Sequence, residues 1–177
     1  MNAQDTIEKA IIECLGKVSG IGEDKSNAAW TNIIKGLLGE LGQKYGYKTF
    51  AGGINNKYQN EWLYDIVWYR RDSENYLENV AMVAESEWNM DFESISYDFE
   101  KLLVARSGIK LMIFQVKEDD NAKVCVERLC KIVGRFQLLA SEESYIFAVF
   151  NTTTEDMFAY IYNRENGLEK IAIEPNV

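Results

Sequence analysis

The run IKLMIFQV at 109–116 carries apolar side chains on both sides of a pleat, and this constrains the fold more than any other feature of the chain. A strand of this kind belongs in a sheet whose two faces are both covered. A second apolar run, 79–87, precedes it. Between them the stretch 91–106 places Ile95, Phe99, Leu102 and Leu103 on one side at helical spacing, and Gly108 closes it. This order points to an α/β domain with a mixed central sheet flanked by helices.

The remaining elements fit that frame. Ile7, Ala10, Ile11, Cys14 and Leu15 predict a first helix over 3–18, followed by the glycine-containing loop GKVSGIGEDKSN with Ser26 or Asn27 as N-cap. Trp30, Ile33, Ile34, Leu37, Leu38 and Leu41 predict a second helix that ends near Tyr45. A short β-like run at 47–50, the turn AGGINN and the aromatic-rich segment KYQNEWLYDIVWYRR predict a hairpin, closed on its far side by the polar turn RDSEN. After the strand at 109–116 comes an amphipathic helix carrying Val124, Val126, Leu129, Ile132, Val133 and Phe136. The strands SYIFAVFN and MFAYIYN follow, separated by TTTED. The order α, α, β, β, β, α, β, α, β, β, without a repeat or linker, reads as one domain over 1–177.

Composition prunes the chemistry. The 177 residues include no histidine, which excludes Ser-His-Asp and Cys-His catalysis, histidine-ligated zinc and an imidazole base. Three cysteines without CxxC spacing lie in helix-like runs and are expected to be buried thiols of a reducing compartment. No apolar run reaches membrane-span length, and the mixed amphipathic N-terminus is unlike a signal segment, so the expected location is the cytoplasm. The net charge of −9 disfavours sequence-independent attraction to nucleic acid.

The apolar run VAMVA ends in Glu85-Ser86-Glu87. Alternation along a strand points Glu85 and Glu87 to one face and Ser86 to the other. Asp65 is a lone charge within WLYDIVWY, and an antiparallel pairing of this segment with 79–87 would stand it beside Glu85. Three converging carboxylates would hold protons near neutral pH unless a cation compensated them, and oxygen ligands alone select hard ions such as Mg²⁺, Mn²⁺ or Ca²⁺. Lys101, on the following helix, could reach back as a charge stabiliser. The plainer readings place Glu85 and Glu87 on a solvent rim, make Asp65 a buried structural acceptor, and treat Asp98 and Glu100 as solvent-side charges. Arg70 and Arg71 at the hairpin tip could touch phosphates. Core packing is the expected role of most of Trp62, Tyr64, Trp68 and Tyr69.

Asp65, then Glu85-Ser86-Glu87 at the end of the next strand, then a helix with YDFEKLL and the strand IKLMIF, resemble the PD-(D/E)XK nuclease superfamily, also called restriction endonuclease-like. The resemblance spans roughly 26–150. It implies an αβββαβ core, to which this chain adds an N-terminal helix and C-terminal strands. It further implies Mg²⁺ or Mn²⁺ held by Asp65, Glu85 and the main-chain carbonyl of Ser86, with Glu40 on the first core helix as a possible accessory. Where the family usually carries lysine this chain has Glu87. Some members carry glutamate there, and others place the lysine on the neighbouring helix, which implicates Lys101.

Two expectations follow. The first is a metal-dependent nuclease in which Asp65 and Glu85 bind Mg²⁺ and Glu87 or Lys101 orients or deprotonates the attacking water. The second is a catalytically inactive binding or regulatory protein on the same fold, contacting a protein partner through an acidic surface. A carboxylate glycosidase fits poorly, because nothing announces a sugar-binding cleft.

Overall fold

The computed structural model describes residues 3–18, 26–54, 58, 60, 62–137 and 143–171. Among these described residues eleven elements follow one another: α1 (Ala3–Gly16), α2 (Asn27–Lys44), β1 (Lys48–Phe50), β2 (Ile66–Arg71), β3 (Leu77–Glu87), α3 (Phe92–Leu103), β4 (Ile109–Val116), α4 (Asp119–Arg135), β5 (Ser144–Asn151), β6 (Met157–Asn163) and β7 (Gly167–Ile171). All seven strands form one sheet in sequence order. The strands β1, β2 and β3 run antiparallel, β3, β4 and β5 parallel, and β5, β6 and β7 antiparallel.

The two parallel steps advance in the same direction across the sheet. Right-handed crossovers therefore lay α3 and α4 on the same face, where Ile95, Phe99, Leu102, Val126 and Leu129 pack on Val67, Tyr69, Val83, Met112 and Phe114. The opposite face, with Trp68, Met82, Ala84, Leu111 and Ile113, is covered by Ile11, Leu15, Ile34 and Leu38 of α1 and α2. Adjacent residues of β4 thus enter different cores, which is why its sequence lacks a polar alternation. The expected mixed sheet between helical layers is present.

Several boundaries differ from the sequence reading. The strand in KYQNEWLYDIVWYRR occupies only 66–71, preceded by an irregular segment with an isolated bridge between Trp62 and Tyr64. The third helix stops at Leu103, well before Gly108, and Asp91 caps its start by accepting from the Ser94 amide. Ser26 caps α2 through the Ala29 amide. The seventh strand was not anticipated, because the mostly exposed GLEKI carries no core-facing alternation. The loop segment 19–25, and parts of the AGGINN turn and of the strand segment after it, lie outside the described residues.

Two glycines set how closely α2 lies against its neighbours. A Cβ on Gly42 would stand 2.7 Å from Trp68 Nε1, and one on Gly39 would overlap the Tyr58 ring. Lys35, Gly39 and Gly42 share one side of the helix, at spacings of four and three residues. The close approach of α2 to Trp68 therefore also lays Lys35 against the sheet. All three cysteines are free, Cys14 and Cys125 buried and Cys130 half-buried. Burial pushes the Cys125 and Cys130 thiols up to about 12. Among the described residues no helix is long and apolar enough to cross a membrane.

Candidate active site at the end of the third strand

β2 pairs antiparallel with β3, with Ile66 opposite Ala84, so Asp65 stands one step beyond the last pair and Glu85 lies opposite it in register. β2 has ended there, and no strand among the described residues pairs with this edge of β3 beyond Ala84. The Ser86 amide on that edge donates to Asp65 Oδ2 at 2.9 Å, and the Ser86 hydroxyl donates to the same oxygen at 2.7 Å. The N–H and C=O of one strand residue point the same way in the sheet plane, so the Ser86 carbonyl opens into the same gap. The other Asp65 oxygen, Oδ1, lies 3.1 Å from Lys35 Nζ.

Glu85 follows the parity of Val83 and leaves the opposite face, beneath α3. It is 5% exposed, which rules out the solvent-rim reading for this residue. Its Oε1 lies 2.9 Å from Lys101 Nζ, and the same ammonium lies 2.9 Å from Asp98 Oδ1. Oε1 receives no well-aligned hydrogen bond despite this contact. Burial pushes the Glu85 carboxyl up to about 7, with Asp65 and Asp98 adding to the rise and Lys101 opposing it. For Lys101, burial acts to lower its pKa, but the neighbouring carboxylates of Asp98 and Glu85 outweigh it and the net shift is upward.

The sequence predicts that Asp65, Glu85 and Glu87 converge. Asp65 and Glu85 are near enough to interact, but each carboxylate turns to its own lysine, Asp65 towards α2 and Glu85 towards α3. Glu87 is half-buried and accepts from the Asn89 amide at 2.6 Å, closing the turn into α3. Glu40 is exposed, and its charge acts on Cys14 of α1. It lies five positions after Lys35, more than a third of the way around the helix. Among the described residues no group of three or more acidic or cysteine side chains is gathered as metal ligands.

Two residues of this constellation escaped the sequence reading. Asp98, expected as a solvent-side charge, is half-buried and shares Lys101 with Glu85. The second is Lys35, on the buried side of α2. Its signal was a lysine set between Ile34 and Leu38 on the apolar stripe, with glycines four and seven positions on.

The rim beside Lys101 is aromatic. The Tyr64 hydroxyl donates to the Lys101 carbonyl at 3.4 Å, Trp62 packs on Phe50 with ring centroids 5.3 Å apart, and Tyr97 stands exposed one turn before Lys101. Leu63 is 73% exposed at φ 66°, an uncommon conformation for a branched residue. Trp68 and Tyr69 are core residues. At the far end of the hairpin Arg70 and Arg71 are exposed over the Tyr47 and Tyr69 rings, and each donates to a backbone carbonyl.

The donors available at the strand end are oxygens only: two carboxylates, a main-chain carbonyl and a hydroxyl. Mg²⁺ is commonly held by one or two carboxylates and keeps several waters, so a third acidic ligand is not required. The buried Glu85, under-compensated by a lysine it shares, fits a hard cation. Among the described residues the carboxyl groups of Asp65, Glu85 and Asp98 share the ammonium groups of Lys35 and Lys101, so the site carries no excess of positive charge. The chain matches no protein-family model and no curated protein.

Proposed function

We propose that the chain is a metal-dependent phosphodiester hydrolase acting on nucleic acid, of the kind its Asp65 and Glu85-Ser86-Glu87 resemble. The observation that carries the reading is the 2.9 Å contact of Lys101 with a buried Glu85 one strand from Asp65. With Glu87 in the usual lysine place, the neighbouring helix supplies the cation. Asp65, Glu85 and the Ser86 carbonyl would hold Mg²⁺ or Mn²⁺, which when bound activates water and braces a phosphoryl oxygen.

The chain's own residues have separable roles in this reading. Lys101 stays protonated, so it serves as a positive charge for the developing phosphorane rather than as a base. Asp98 positions Lys101. Ser86 fixes Asp65 through two hydrogen bonds, and in doing so aims its own carbonyl into the gap left by β2. Glu87 closes the turn that starts α3 and so helps to orient the helix bearing Lys101.

The test is Mn²⁺ titration calorimetry on the protein beside Glu85→Ala, followed by cleavage assays on single- and double-stranded DNA and RNA. Binding by the wild type that is lost in Glu85→Ala is the expected result. A second reading, a non-catalytic protein on this fold with a protein partner, is favoured by the net charge of −9 and by the lysine already placed on each carboxylate. It predicts no Mn²⁺ binding by the wild type.

A further inference from the structure

We infer that Lys35 is a built-in competitor for the metal, a fixed internal cation on Asp65 that holds the affinity of the site down. This rests on the metal-site reading of Asp65 and Glu85 above, and it adds a residue to which neither the sequence motif nor the resemblance assigns a role.

The two lysines of the site are not equivalent. Lys101 is 40% exposed and divided between Glu85 and Asp98, so it can swing towards solvent and keep one partner. Lys35 is only 6% exposed along its side chain and lies 3.1 Å from Asp65 Oδ1. It is presented by a helix that Gly42 seats directly on Trp68, so its ammonium has little freedom to retreat without moving α2. The other Asp65 oxygen is occupied by the amide and hydroxyl of Ser86. A divalent ion approaching Asp65 therefore meets a carboxylate whose two oxygens both have partners, one of them a positive charge. A unit charge this close to a carboxylate changes its affinity for a cation by about ten-fold or more. Lys35 also keeps Asp65 turned towards α2, so a cation there would draw Asp65 away from its resting position. The arrangement makes site occupancy depend on metal concentration in a range set by Lys35.

The test is Mn²⁺ titration calorimetry on the full chain and on Lys35→Met, Lys35→Arg and Asp65→Asn, with thermal unfolding as a control for folding. Methionine keeps the length and apolar stem without the charge. Mn²⁺ binding tightened about ten-fold or more in Lys35→Met, unchanged in Lys35→Arg and lost in Asp65→Asn, is the result expected. Binding by Lys35→Met with none by the wild type also supports the inference, and moves the native protein to the non-catalytic reading. Unchanged or weaker binding in Lys35→Met, beside a wild type that binds through Glu85, overturns the inference and leaves the metal site standing. No binding by either protein overturns both. Should Lys35→Met not fold, Lys35→Gln, neutral and still able to donate to Asp65, replaces it under the same criterion.

Discussion

Replacing Glu85 with glutamine should make the protein more stable at alkaline pH, although it removes an ion pair. The side chain is 5% exposed, and its carboxyl is raised from an ordinary 4.5 to about 7, first by burial and then by Asp65 and Asp98. Between those two values the folded chain holds a proton that the unfolded chain has released. Stability therefore falls as pH rises through this window, and the whole penalty is present above about 7. The shift corresponds to about 3 kcal/mol; structural relaxation and water reaching the buried carboxylate reduce the realised figure to about 1–2 kcal/mol. Glutamine keeps the shape without the charge, and Lys101 retains Asp98 at 2.9 Å. Urea unfolding at pH 5 and pH 8 checks this. Relative to wild type, Glu85→Gln should gain about 1–2 kcal/mol between the two conditions, or roughly 2–8 °C in Tm for a chain of this size. A variant that loses ground from pH 5 to pH 8 would refute the reasoning, because the attraction of Lys101 would then exceed the cost of desolvating Glu85. The expected direction is that of a carboxylate kept at the expense of stability, as functional residues often are.

Asp65→Ala should cost about 1–3 kcal/mol, since it takes a carboxylate from beside the buried Lys35 ammonium and removes the acceptor of the Ser86 amide and hydroxyl; a loss under about 0.5 kcal/mol in urea unfolding would mean that the residue is not holding this corner. Gly42→Ala should cost about 1–3 kcal/mol, because its Cβ would stand 2.7 Å from Trp68 Nε1. Gly36→Ala on the same helix meets nothing within 4 Å and should stabilise by up to about 1 kcal/mol, so equal thermal shifts in the two variants would contradict the packing described.

The layered architecture was legible because burial on two faces leaves its mark on every position of a strand. IKLMIFQV could only be a covered strand, and the helical spacing of Ile95, Phe99, Leu102 and Leu103 supplied part of the cover. β7 was not legible, since an edge strand with exposed side chains leaves no periodic signal. Asp65 and Glu85 stood out as charges beside apolar runs, and the antiparallel register does set them on adjacent strands. Asp98 was missed because a half-buried helix acid has the same local sequence as a solvated one. Lys35 was missed because a lysine within an amphipathic helix ordinarily reaches past the core to water.

The sequence by itself determined an α/β domain without histidine chemistry, with two acidic positions where its second and third strands meet. Only the tertiary structure decided which way those carboxylates turn and what neutralises them. Side-chain alternation is a property of a strand, and so it can be read along the chain. A charge partner is chosen by the packing of distant elements, here α2 seated on Trp68 through Gly42 and α3 laid across β3, and no local pattern records that choice.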